Sequence, residues 1–257
     1  MKYHSDGSPL SDDGFEHARL LLDVDAPTLW AVLHVETGGF GYLPSRRPVI
    51  RFERHVFHQL TAGRFDLEQP DISNPLPGGY IGGPAEYVRL NSASMLDADA
   101  ALQSASWGIG QLMGYNVDHV GYQDVQQMVT AMVDDEDDQI IATARFIEDC
   151  MLNEALQDRD WTLFASVYNG SDFGRDGYDV KLAAAFEHYQ HALPNLDVRT
   201  AQAALLYLGY KPGPIDGVLG PRTRKAVIDF QRNRRMTVTG SLDRRMTEAL
   251  CVAAFAA

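Results

Sequence analysis

Two glutamates stand where a carboxyl group can do proton chemistry. Glu36 closes a strongly apolar segment, Leu29 to Val35, and Thr37-Gly38-Gly39 follows at once. A glycine pair after apolar helical spacing reads as a helix stop, so Glu36 falls at a helix C-terminus. The helix dipole disfavours a negative charge there, and partial burial adds to the effect. Both push the carboxyl toward the neutral range a general acid needs. Glu53 follows Phe52 and precedes Arg54-His55. Paired carboxylates are the equipment of glycosidic cleavage, in which one acid protonates the leaving oxygen. Each glutamate also has a plainer explanation: Glu36 as a solvated helix end, Glu53 as a structural acid paired with basic neighbours. His34, His55 and His58 lie close together but lack a third partner at metal-ligand spacing, so neither metal nor cofactor is expected. No GxSxG, HExxH, P-loop or strand-borne GxGxxG motif is present, which removes the common alternative chemistries.

The elements that must position these residues are mainly helical. Asp25 and Pro27 start the helix that ends at Glu36. Val49 to Glu53 reads as a short strand, and Glu53 to Thr61 then turns helical. Residues 63–95 carry Gly63, Pro70, Pro75, Pro77, Gly78, Gly79, Gly82, Gly83 and Pro84, and are expected to form a long loop with little regular structure. Helical patterns return over residues 97–105, 125–132, 135–150, 152–157, 161–168 and 178–191. No other strong period-2 run is visible. The polar first fourteen residues read as a frayed start.

A break at residues 192–196 sets off a tail with its own plan. The spacing predicts a helix over 198–208, a second over 223–233 with Pro221 at its first turn, and a third capped by Thr239 or Ser241. Between the first two lies a glycine loop in which Asp216, Gly217 and Gly220 make a tight turn, with Asp216 holding it by side-chain hydrogen bonds. The expected architecture is therefore mainly α, with a small strand region in a domain of residues 1–192 and a small three-helix domain over 193–257.

Charge follows the same division. The 257 residues carry 22 Lys+Arg against 35 Asp+Glu, a net of −13. From residue 196 onward the net is +5, which leaves −18 on the remainder. A basic tail attracts an anionic polymer, either nucleic acid or an acidic glycan, although small domains also differ in charge by chance. No stacking-aromatic pattern accompanies the tail arginines, which argues against nucleic acid. Two cysteines, Cys150 and Cys251, cannot make a disulfide framework and read as buried free thiols. No run of apolar residues is long enough for a membrane span, and the N-terminus has no apolar signal-peptide core. The expectation is a monomer that stays in the cytoplasm after synthesis.

The segments Leu29–Gly39, Arg51–Phe57, Ser104–Met113 and Tyr168-Asn169-Gly170, closed by Gly177–Ala183, resemble the phage-type N-acetylmuramidase catalytic domain, a relative of goose-type lysozymes and lytic transglycosylases. The similarity covers roughly residues 20–190. It implies that Glu36 is the general acid and that Glu53 is a second functional carboxylate, with Ser106, Gln111, Tyr168 and Asn169 lining a sugar cleft. The tail is similar to the three-helix peptidoglycan-binding domain, carried by Val198–Tyr210, Ile215–Thr223, Ala226–Gln231 and Thr239-Gly240. A lysozyme-like endolysin acting on bacterial peptidoglycan after holin-type release is what the resemblance implies. The alternatives are a lytic transglycosylase and a catalytically silent wall-binding protein.

Overall fold

A computed structural model describes residues 3–169 and 177–255. Thirteen α-helices are present among the described residues: α1 (Asp12–Leu22), α2 (Ala26–Thr37), α3 (Arg54–Leu60), α4 (Glu86–Leu96), α5 (Ala98–Gln103), α6 (Val125–Asp134), α7 (Glu136–Asp149), α8 (Asn153–Gln157), α9 (Trp161–Tyr168), α10 (Tyr178–His191), α11 (Leu196–Tyr207), α12 (Pro221–Asn233) and α13 (Arg244–Phe255). A small antiparallel sheet joins β1 (Ile50–Phe52), β2 (Ala105–Trp107) and β3 (Leu112–Met113) in that order. None of the helices is long and apolar enough to cross a membrane.

The helix carrying Glu36 forms for local reasons. Asp25 accepts from the Thr28 amide at its N-terminus, and Gly38, at φ 69°, closes its C-terminus. Leu29, Trp30, Ala31, Val32 and Leu33 are all buried, so α2 is enclosed nearly all round. Phe15 of α1 stacks on Trp30 at 5.1 Å, and Tyr189 of α10 meets it from the other side at 6.1 Å. This clamp sets where the C-terminal end of α2 points.

The sheet divides its residues by period 2. Ile50 pairs with Trp107 and Phe52 with Ala105, and all four are buried. Arg51 pairs with Ser106, and Ser106 with Met113, on the opposite face.

Three expectations about the larger part need correction. Residues 63–95 are not all loop, because α4 occupies their end; Tyr87, Leu90 and Ala93 bury one face of it. The start is not frayed from residue 3 onward. Leu10 is 1% exposed and its amide donates to Glu136. The helix expected over 97–105 stops at Gln103 so that Ala105 can enter β2.

The tail forms its three helices around Ala204, Leu205, Val227, Phe230, Met246 and Leu250. Asp243, not Thr239 or Ser241, caps the last, accepting from the Met246 amide. Cys150 and Cys251 are free but only half-buried. The tail is also joined to the larger part by a seam in which Phe40 and Tyr42 pack on Ala203 and Ile215.

Candidate active site

The end of α2, strand β1, the β2–β3 turn and the end of α9 enclose a cleft of about 370 Å³. Glu36, Glu53, Ser106, Gln111, Tyr168 and Asn169 all line it. The structure thus brings together six residues that the sequence spreads over 134 positions. Gly170 lies outside the described residues.

Glu36 sits half-buried at the last turn of α2. The Tyr178 hydroxyl donates to its Oε1. Burial lifts the Glu36 carboxyl from the usual 4.5 to about 7, while the Tyr178 hydrogen bond and the Arg51 charge pull it down without cancelling the rise. A carboxyl at that value is substantially protonated at neutral pH and can deliver its proton. Burial and the nearby Glu36 charge push the Tyr178 and Tyr168 hydroxyls up, so both stay neutral donors.

Glu53 is the N-cap residue of α3 yet makes no capping hydrogen bond with its side chain. Its carboxylate is taken by other groups. The Tyr80 hydroxyl donates to Oε2 at 2.7 Å, and His55 Nδ1 lies 3.3 Å from the same oxygen. The pairing with Arg54 considered from sequence does not form, because the Arg54 guanidinium donates instead to the carbonyls of Leu76 and Pro77. Burial and Glu53 together push the Tyr80 hydroxyl up to about 12.

Two other cleft residues, Gln111 and Tyr168, are held by backbone carbonyls, and Ser106 by Gln111. Ser106 Oγ donates to Gln111 Oε1 at 2.9 Å, and Gln111 Nε2 donates to the carbonyls of Val49 and Gly108. Gln111 itself adopts φ 49°, so its amide braces a tight turn as well as lining the cleft. Tyr168 donates to the Gly110 carbonyl at 2.8 Å and stacks on Phe164 at 5.0 Å. Asn169 is exposed at the rim.

Beneath these turns runs one polar face of α7. Glu136, Gln139 and Thr143, spaced i, i+3 and i+7, are at most 1% exposed. Gln139 Oε1 accepts from the Ile109 amide. A Cβ on Gly110 would meet Thr143 Oγ1 at 2.1 Å, so the turn needs glycine to seat on the helix. Thr37 Oγ1 donates to the Ile109 carbonyl, joining the Glu36 turn to the same support.

His34 and His58 do not join the cleft. His34 Nδ1 faces the Tyr189 hydroxyl and His58 Nδ1 pairs with Asp66. Among the described residues no group of three His, Cys, Asp or Glu side chains is arranged to hold a metal ion. Asp216, Gly217 and Gly220 lie in the tail, apart from the cleft-lining set. Asp216 accepts from the Val218 amide as expected, and Gln202 braces the loop by accepting from the Gly217 amide and donating to Asp216. Gly217 has φ 71°, but Gly220 is extended at φ −80° and serves as the N-cap of α12.

Arg51 and Tyr178 fall within segments that carry the resemblance but receive no role from it, and sequence reasoning passes over Tyr115 and the α7 face. Their signal is weak: a tyrosine opening a helix, or polar residues at i, i+3, look like ordinary surface positions until the fold encloses them.

A helical domain built on a small sheet thus places a protonatable glutamate at a helix end and a second carboxylate in one cleft. Residues 25–190 match the N-acetylmuramidase family, and the chain belongs to it. Residues 194–250 match the peptidoglycan-binding domain. The crystal structure of the Burkholderia AP3 phage endolysin is similar, at 39% identity and a TM-score of 0.64, covering 75% of this chain and 74% of that one. A stretch of 61 residues is 40% identical to the localization factor PodJL of Caulobacter vibrioides. That stretch is 24% of this chain and spans only 6% of the relative's length. The chain thus joins an N-acetylmuramidase-family domain to a peptidoglycan-binding domain.

Proposed function

We propose that the protein is an endolysin that cleaves the β-1,4 bond between N-acetylmuramic acid and N-acetylglucosamine, with Glu36 as general acid. The observation that carries this reading is the Glu36 carboxyl, raised to about 7 by burial in the cleft and held by Tyr178. Glu36 gives its proton to the glycosidic oxygen as the bond to C1 breaks. Positive charge develops on the muramic acid ring, and the Glu53 carboxylate in the same cleft supplies the opposing field. Water adds at C1 and its proton passes to Glu53. The Tyr80 hydroxyl keeps the Glu53 carboxylate oriented for that step. The residues of the 193–257 module bind the wall and raise the local substrate concentration. Action on the wall follows release from the cytoplasm of the producing cell.

Mass spectrometry of the soluble products from purified peptidoglycan tests the reaction. Muropeptides ending in a reducible N-acetylmuramic acid are expected. Anhydro-muropeptides, lighter by one water, would make the protein a lytic transglycosylase. A folded protein that sediments with the wall and releases nothing would end the enzymatic reading. Glu36→Gln should abolish product release, whereas Glu53→Gln should retain a measurable fraction. Full activity in Glu36→Gln would refute its assignment.

A further inference from the structure

The strongest polar assembly outside the cleft lies at the seam between the two parts. Arg199, in the first turn of α11, and Glu136, at the start of α7, are both 0% exposed. Arg199 Nη1 donates to Glu136 Oε2 at 2.6 Å and Nη2 to Oε1 at 2.9 Å. The same guanidinium donates through Nε at 3.1 Å and Nη2 at 2.6 Å to the Gly39 carbonyl. Glu136 also accepts from the amides of Leu10 at 2.7 Å and Gly41 at 2.6 Å, so each carboxylate oxygen has two donors. The rings of Phe40 and Trp30 lie 5.2 Å and 5.8 Å from the guanidinium carbon.

Two features set this pair apart from a simple fastening. First, Arg199 is wholly enclosed, so an arginine of the basic tail has no access to any wall polymer. Second, its acceptor, Gly39, ends the Glu36-Thr37-Gly38-Gly39 turn. Gly38 and Gly39 have φ of 69° and 83° and carry no side chain. A turn of two glycines is held only by what its backbone touches. Here the bond to the Gly39 carbonyl comes from the C-terminal module. A buried ion pair is a poor source of net stability compared with apolar packing, and its best-attested use is to specify one arrangement over others.

We propose that Arg199 is a positioning residue for Glu36: the C-terminal module, through this side chain, locks the turn that aims the acid into the cleft. The module is then part of the catalytic unit as well as its wall anchor. The inference rests on Glu36 being the general acid. The α7 face extends the same support, since Glu136 holds the 39–41 segment while Gln139 and Thr143 hold the turn containing Gly108 and Gly110.

The test uses the full-length protein carrying Arg199→Lys, Arg199→Met or the double change Glu136→Gln with Arg199→Met. Each is assayed on short soluble glycan oligomers and for sedimentation with purified peptidoglycan, well below its own melting temperature. Lysine keeps the charge but is a single point donor and cannot span Glu136 and Gly39 as the planar fork does. The expected result is a fall of at least tenfold in kcat on the soluble oligomers, with KM within threefold of the parent and wall sedimentation unchanged. The double change leaves no uncompensated charge, so it restores the melting temperature without restoring kcat. If the lysine variant does not fold, the double variant decides. A folded variant with kcat within twofold of the parent and only a lowered melting temperature would reduce Arg199 to a structural fastening and overturn the proposal. Glu36→Gln, run beside these, keeps the two ideas separable: activity in that variant would remove the general-acid assignment itself.

Discussion

Exchanging Glu36 for glutamine should abolish activity and at the same time stabilise the fold, but only above a defined pH. The carboxyl has an ordinary value of 4.5 when solvated and about 7 in the cleft, because burial outweighs the help of Tyr178 and Arg51. Below pH 4 the side chain is protonated in both the folded and unfolded chains, and it contributes no pH dependence. Between about 4.5 and 7 the unfolded chain has released its proton and the folded one still holds it. Folded molecules then bind more protons, so stability falls as pH rises through this window and levels off above it. A difference of about 2.5 in pKa corresponds to about 3.4 kcal/mol at 1.36 kcal/mol per unit. Because the side chain is partly open to solvent, about 2–3 kcal/mol is the working figure. Glutamine fills the same space, still accepts from Tyr178 and never ionises. At pH 8 the Glu36→Gln variant should therefore melt roughly 4–12 °C above the parent, and at pH 4 within a degree or two of it. Thermal unfolding of both proteins by circular dichroism at pH 4, 6 and 8 measures this directly. A difference in melting temperature that stays constant across that range would show that Glu36 titrates as an ordinary carboxyl, and the general-acid argument from burial would fall with it.

Three other perturbations probe separate parts of the structure. Tyr178→Phe removes the donor that opposes the burial effect on Glu36, so the upper limb of the kcat–pH profile should move about one to two units higher; an unmoved limb would refute the contact's role. Gly41→Ala places a Cβ 2.1 Å from Gln139 Oε1 and 2.8 Å from the Ile109 backbone nitrogen, and urea unfolding should show a loss of about 2 kcal/mol or more. Gln202→Leu strips the 216–218 loop of its brace, since Gln202 bonds the Gly217 amide, Asp216, the Val218 carbonyl and Thr223. Sedimentation with peptidoglycan should fall, while a near-parental value would show that the loop holds its shape without it.

What could be read from sequence depended on whether the signal was local. The Asp25 cap, the apolar run and the glycine stop each lie within one helix, so the position of Glu36 was legible. Strands β2 and β3 have only three and two residues, too few for alternation to register. Helix α4 was obscured by the prolines and glycines before it, although Tyr87, Leu90 and Ala93 carry the helical spacing. The seam was illegible for a different reason. Arg199 and Glu136 are 63 positions apart, and either one alone has the look of a solvated charge.

That pair also changes the meaning of the charge asymmetry. The tail's net +5 counts Arg199 as if it faced outward, but its charge is matched by Glu136 inside the protein. Lys225 pairs with Asp229 and Arg244 with Glu248, at exposed positions where such pairs contribute little and remain free to exchange partners. Lys211, Arg222, Arg224, Arg234, Arg235 and Arg245 are exposed and form no ion pair with a carboxylate among the described residues. Of these, Arg235 and Arg245 line one groove of the module with Thr237 and Thr239. Arg199, one of the ten basic residues in that count, is held inside the protein by Glu136 and the Gly39 carbonyl.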